Sequence, residues 1–196
     1  MRAAMRVMLG SLLVSASGQA GPATEALKAR DAQIRKALPP AEQALTAAEK
    51  GKLEEVLTAA VDLPGMAKDA LGKRYEKLSE ADRKRYERAF AARFKKASEG
   101  EIDFYRSTEI SYGAETQSAG TGTVGDVDVP TTLTLKGEPT PIVYTVRKEA
   151  AAYKIVDLSV DGVSTVENYR SSFGKIFDKE GLNGLVARLQ KDPEKK

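Results

Sequence analysis

Carboxylates are the side chains of this sequence best suited to chemistry, because histidine, cysteine and tryptophan are all absent. Without imidazole the usual general base and every Ser-His triad are excluded. Without thiols there is no thiolate nucleophile, no disulfide and no Cys/His metal site. Asp103, Asp126, Asp128 and Asp157 remain, and their spacing shows none of the pairing that two-carboxylate acid–base catalysis uses. Asp128 also alternates away from the valines on either side of it. The expectation is a protein that is not an enzyme and needs neither metal nor cofactor. What remains for it is recognition.

The elements around these acids divide the chain in two. Thr24 to Leu38 reads as a helix with Ala26, Leu27, Ile34 and Leu38 near one stripe, ended by Pro39-Pro40. Ala41 to Ala60 reads as a second helix, with Leu53, Val56, Leu57 and Ala60 at helical spacing. Asp62 caps the next, which carries Met66, Ala67, Ala70 and Leu71 on one face and ends near Gly72 to Tyr75. Ser79, with Asp82 three residues on, caps a further helix whose ladder is Tyr86, Phe90 and Phe94. From Ser107 the period becomes two. Ile110 and Tyr112 begin the alternation, and 118–125 is a loop or a weak strand. Val127 to Leu135, Ile142 to Arg147 and Tyr153 to Val160 then form an antiparallel meander. Asp161-Gly162 turns into a closing helix carrying Val163, Val166, Tyr169, Phe173, Ile176 and Phe177. Gly181 breaks it, and Leu182, Leu185 and Leu189 belong to a last short helix. The layout is α+β: a curved antiparallel sheet of about four strands, covered by helices on one face.

Composition supports a folded chain, with 30% charged and 41% hydrophobic residues among 196. Arg2 and Arg6, the short apolar run Val7 to Val14 and the small residues up to Gly18-Gln19-Ala20 read as a cleavable export signal over 1–20, too short to span a bilayer. No cysteine follows, so no lipoprotein anchor is expected. Removing this leader takes two of the 31 basic residues and none of the 28 acidic ones, lowering the formal net charge from +3 to +1. The charge is unevenly spread. Lys68 to Lys96 holds 11 basic residues against 5 acidic, whereas Glu99 to Pro130 holds 7 acidic and only Arg106 basic. The basic stretch reads as a solvated helix face, a docking surface or a contact for anionic headgroups. A nucleic-acid contact is disfavoured, because Tyr86 and Phe90 fall on the buried stripe and not among the charges.

Three runs carry a resemblance. They are Leu-Pro-x-Met-Ala-x-x-Ala-Leu-Gly at Leu63–Gly72, Leu-Ser-x-x-x-Arg-x-x-Tyr at Leu78–Tyr86, and Asp-Gly-Val-Ser-x-Val-x-Asn-Tyr-Arg-x-x-Phe at Asp161–Phe173. In these the chain resembles the MlaC or toluene-tolerance family of periplasmic phospholipid carriers. The likeness covers roughly Leu57 to Leu189; the helices before it match poorly. It implies a lipid-binding domain over 61–191, an N-terminal helical segment over 21–60 and a charged tail over 192–196. It further implies a monomeric carrier without cofactor, holding phospholipid as cargo. Such a carrier passes lipid between an outer-membrane lipoprotein complex and an inner-membrane ABC transporter bearing MCE-domain subunits.

The physics of that task needs no catalytic group. Two acyl chains hold roughly thirty methylenes, and exposing them to water costs on the order of 20 kcal/mol. An apolar cavity close to the bilayer as a solvent makes transfer nearly thermoneutral. The expected cavity wall comprises Met66, Leu71 and Tyr75; Phe90 and Phe94; Ile142, Tyr144, Val146, Val156 and Leu158 of the sheet; and Val163, Val166, Tyr169 and Phe173 of the closing helix. Val163 marks the expected mouth, where a glutamate would expel lipid. Arg170 either steadies a phosphate or bridges to an acid such as Asp157. From the residues alone, a filled core and a ligand cavity look the same, and a carrier of another amphiphile, such as a sterol-like lipid or a lipoprotein, stays open.

Overall fold

The computed structural model describes residues 20–39, 43–99, 107–119, 124–150 and 152–191. The expected leader, the charged tail, Asp103 and Arg106 lie outside them, apart from Ala20. Helices α1 (Pro22–Ala37), α2 (Ala47–Ala59), α3 (Leu63–Leu71), α4 (Lys73–Glu76) and α5 (Glu80–Glu99) precede strands β1 (Glu109–Tyr112), β2 (Thr116–Gln117), β3 (Val127–Leu135), β4 (Glu138–Glu149), β5 (Ala152–Val160) and β6 (Val163–Ser164). A long helix, α6 (Thr165–Gln190), closes the chain.

The sheet has six antiparallel strands in the order β1-β3-β4-β5-β6, with β2 beside β1 along the same edge of β3. The three long strands are the expected meander; the short edge strands raise the number above four. The turns follow from local chemistry. Lys136-Gly137 and Asp161-Gly162 both take positive φ at two successive residues, as tight hairpin turns with right-handed strand twist require. Cross-strand partners share a face. Ile110, Leu133, Tyr112, Val129, Ile142, Tyr144, Val146, Leu158 and Val160 therefore line one side of the sheet. The register slips at Thr145/Val146, so Ile155 and not Val156 stands opposite Val146. Alternation alone places Val156 there; the bulge moves the role to its neighbour.

The helix caps are those the sequence calls for. Asp62 accepts from Gly65 N–H at 2.9 Å and Ser79 from Asp82 N–H at 3.2 Å. Helix α2 starts later than Ala41, because Thr46 and Glu49 form a reciprocal capping box that fixes the first turn at Ala47. Asp157, buried in the sheet, accepts from Val166 N–H at 3.0 Å and from the Ser164 hydroxyl, so it holds the β5–β6–α6 corner together. Gly181, at φ 67°, breaks α6 where a second helix is expected to begin.

Three apolar centres result, the smallest of which pairs Ile34 of α1 with Leu53 of α2. Helices α3, α5 and α6 enclose Met66, Ala70, Leu71, Tyr86, Phe90, Val166, Phe173, Leu185 and Leu189. Helix α1 lies against the sheet, packing Ala23 and Leu27 on Val129 and Val146. The junction of α2 and α3 is stitched to β5: Asp62 N–H donates to Ile155 C=O and Ile155 N–H to Ala60 C=O, each at 2.9 Å.

Candidate functional site

An apolar cleft of about 250 Å³ opens between α1, the end of α2 and the sheet. Leu27 and Ile34 of α1 and Leu57, Ala60 and Val61 after it form the helical wall. Ile110, Tyr112, Tyr144, Ile155 and Leu158 form the sheet wall. Two charged residues, Arg30 and Asp31, complete the lining. A second cleft of about 420 Å³ continues past Ile34 between α1 and α2, along Leu38, Leu53 and Val56.

Helix α1 spans the cleft as a bar fastened at both ends. Its first turn offers unpaired N–H groups, and Glu115 answers them, accepting from Ala23 N–H at 2.9 Å and Thr24 N–H at 3.0 Å. Near its C-terminus Arg35 donates to the Thr108 carbonyl at 3.0 Å and to both oxygens of Asp31 at 3.0 and 3.1 Å. Leu27, Arg30 and Ile34 lie between these ties. The phenols of Tyr112 and Tyr144 are pushed above their ordinary range, first by burial and then by the Asp31 charge. Both stay neutral at any physiological pH, so the sheet wall presents uncharged rings.

The expected wall residues divide between the cleft side of the sheet and the helical cluster. Tyr144 and Leu158 line the cleft. Val146 packs beneath α1 beside it, and Ile142 is buried on the same sheet face. Val156 is buried at the bulge. Met66, Leu71, Phe90, Val166 and Phe173 belong to the helical cluster, with Tyr75, Phe94 and Tyr169 packed against it. There the rings engage each other: Tyr169 stacks on Phe173 at 5.0 Å, and Phe90 meets Tyr169 edge-on at 5.7 Å. Val163 is 62% exposed on the β5–β6 hairpin. Arg170 donates to the Asp69 carbonyl at 2.9 Å, tying α6 to α3. Asp157, occupied by the α6 corner, is not its partner.

Leu27, Arg30, Ile34, Leu57, Ile110, Tyr112 and Ile155 enter the cleft without having been singled out as its wall. The signal was present for Leu27 and Ile34 on their stripe, and for Ile110 and Tyr112 at the start of the alternation.

The other polar groups weighed for chemistry have structural partners. Arg147 pairs with buried Asp126 through two 2.9 Å bonds, and Asp128 accepts from Thr145 at 2.8 Å. In the basic helical stretch Arg74 meets Asp178, Lys84 meets Glu80 and Lys95 meets Glu54. Tyr86 is 0% exposed and donates to the Ala67 carbonyl at 3.0 Å, so its ring is closed to base stacking. Among the described residues no helix is long and apolar enough to cross a membrane.

No curated protein matches the sequence. Among solved structures, the phospholipid-binding protein from Ralstonia solanacearum, determined in complex with a phospholipid, has the same fold. It superposes with a TM-score of 0.65 at 20% identity, covering 85% of this chain and 90% of that one. The profile of the family described as MlaC protein matches residues 32–191, most of the chain and all three sequence runs noted above. The chain belongs to the MlaC family.

Proposed function

We propose that this protein is a periplasmic phospholipid carrier that shelters acyl tails between the α1–α2 arm and the apolar face of the sheet. The observation that carries this reading is the unfilled apolar cleft under α1. Interiors normally pack to crystal density, and an apolar surface left open costs its lining the dispersion contacts that neighbours would supply. An acyl chain restores those contacts. The family membership and a structural relative solved with phospholipid support the same reading.

The cleft as it stands is smaller than the roughly 300–1,000 Å³ of small-molecule sites. Loading therefore widens it, and the continuation past Ile34 gives the direction. Helix α1 is tied at both ends, whereas α2 buries only Leu53 along its length. In this account α2 is the wall that yields. The expected residues of the helical cluster serve as the rigid frame, with Tyr144 and Leu158 as the sheet-side contacts for the tails.

No step of this task breaks a covalent bond. The carrier exchanges one apolar solvent for another, and direction comes from its partners: an outer-membrane lipoprotein complex and an inner-membrane MCE-domain ABC transporter. The test is to export the full chain to a bacterial periplasm, purify it without detergent, and identify lipids in an organic extract by mass spectrometry. Stoichiometric diacyl phospholipid is expected. A different amphiphile would redirect the cargo assignment, and an extract without lipid would end the carrier reading.

A further inference from the structure

The cleft wall carries a positive charge that no carboxylate among the described residues answers. Arg30 sits at the middle of α1 and lines both the apolar cleft and an adjoining hollow of about 230 Å³ bordered by Gln33, Ala152 and Tyr153. Its guanidinium has five donors. Among the described residues it makes a single hydrogen bond, from Nη1 to the Ala60 carbonyl at a long 3.3 Å. The neighbouring acid, Asp31, is held by Arg35 on both oxygens.

A comparison within the molecule shows what is unusual. Arg147 is also partly buried, but Asp126 binds it through two bonds and raises its pKa. Burial alone acts on Arg30 and lowers its pKa. A guanidinium half withdrawn from water with most donors unused is unfavourable, and an arriving anion with paired oxygens offsets that cost. Arginine is also the side chain whose planar fork fits phosphate best.

We propose that Arg30 is the anion subsite of this cleft, taking the phosphate of an amphiphile whose tails lie against Leu27, Ile34 and Leu158. The assignment rests on the carrier reading and adds a headgroup contact to it. It also orients the cargo: tails run along the sheet wall, and the phosphate stays at the α1 rim where the adjoining hollow meets solvent. Arg30 lies two residues before the stretch matched by the family model.

The test is a competition. The purified full chain is incubated with vesicles containing equal amounts of dioleoylphosphatidylglycerol and dioleoylglycerol, then re-isolated, and the ratio of the two carried is read by mass spectrometry. Wild type is expected to favour the phospholipid by about tenfold, the discrimination of one charge-assisted contact. Arg30→Gln should bring the ratio near unity, through a loss of phospholipid and not a gain of diacylglycerol, while the thermal midpoint holds, and Arg30→Lys should fall between. An unchanged ratio in Arg30→Gln overturns the assignment alone. Wild type carrying neither probe removes the carrier reading and this assignment together. Inorganic phosphate binding to wild type without lipid, and lost in Arg30→Gln, would make Arg30 a free-anion site and overturn the headgroup role.

Discussion

The helical cluster of α3, α5 and α6 and the space beneath α1 draw on the same kinds of residue, and only the first is filled. In the cluster, Tyr86, Phe90, Met66, Leu71 and Leu185 are all at most 2% exposed, and the rings interlock. Beneath α1, five sheet residues and seven from the helical arm, five of them apolar, face each other across open volume. The cluster gains its stability from contact throughout, whereas α1 adds to its packing at Ala23 and Leu27 polar ties at its ends, through Glu115 and Arg35, that do not depend on a filled interior. On the proposed carrier reading, such a division lets one half of a small protein stay folded while the other exchanges its contents.

Substitutions separate the two regions. Phe90→Ala should cost about 3–5 kcal/mol by opening a cavity in the cluster, seen as a large drop in denaturant midpoint. Leu158→Glu should do the reverse, with a smaller loss of stability and near-complete loss of co-purified lipid, because a carboxylate in the cleft must stay hydrated. Equal loss of lipid in a fully folded Phe90→Ala would erase the distinction. Glu115→Ala removes the acceptor for two α1 N–H groups and should cost about 1–2 kcal/mol while speeding lipid exchange from labelled vesicles. Val163→Glu, at an exposed hairpin position, should shift stability by no more than about 0.5 kcal/mol and leave lipid in place. Loss of lipid in that variant would move the mouth to the hairpin.

A further effect is confined to alkaline pH. Burial, together with the hydrogen bond to Glu87, pushes the Tyr75 phenol up to about 12. The folded state therefore favours the protonated phenol. Its contribution is complete below pH ~10, where the unfolded phenol titrates, and is lost as pH rises toward 12. Tyr75→Phe should flatten that part of the stability profile, measured by denaturant titration at several pH values.

Much of the fold is legible in the sequence because its signals are local. Alternation along β3, β4 and β5, the Asp-Gly turn, the caps at Asp62 and Ser79 and the break at Gly181 each declare themselves within a few residues. The cleft does not, because a stripe such as Leu27 and Ile34 reads the same whether it meets a partner at contact distance or across a gap. Spacing between layers is a tertiary quantity. The bulge that exchanges Ile155 for Val156 is equally silent, since one extra residue leaves the valine-rich pattern intact. Arg30 is silent for a further reason. Its meaning lies in the absence of a facing carboxylate among the described residues, and Asp31 beside it suggests a partner that Arg35 has already taken.

The most direct measurement is photo-crosslinking with a phospholipid carrying a diazirine at the end of one acyl chain, loaded into the intact protein and mapped by peptide mass spectrometry. Adducts on α1, α2 and the sheet face around Ile110, Tyr144 and Leu158 are the result expected. Adducts confined to Phe90, Phe94, Tyr169 and Phe173, with the α1 cleft unlabelled, would contradict the account and place the tails within the helical cluster instead.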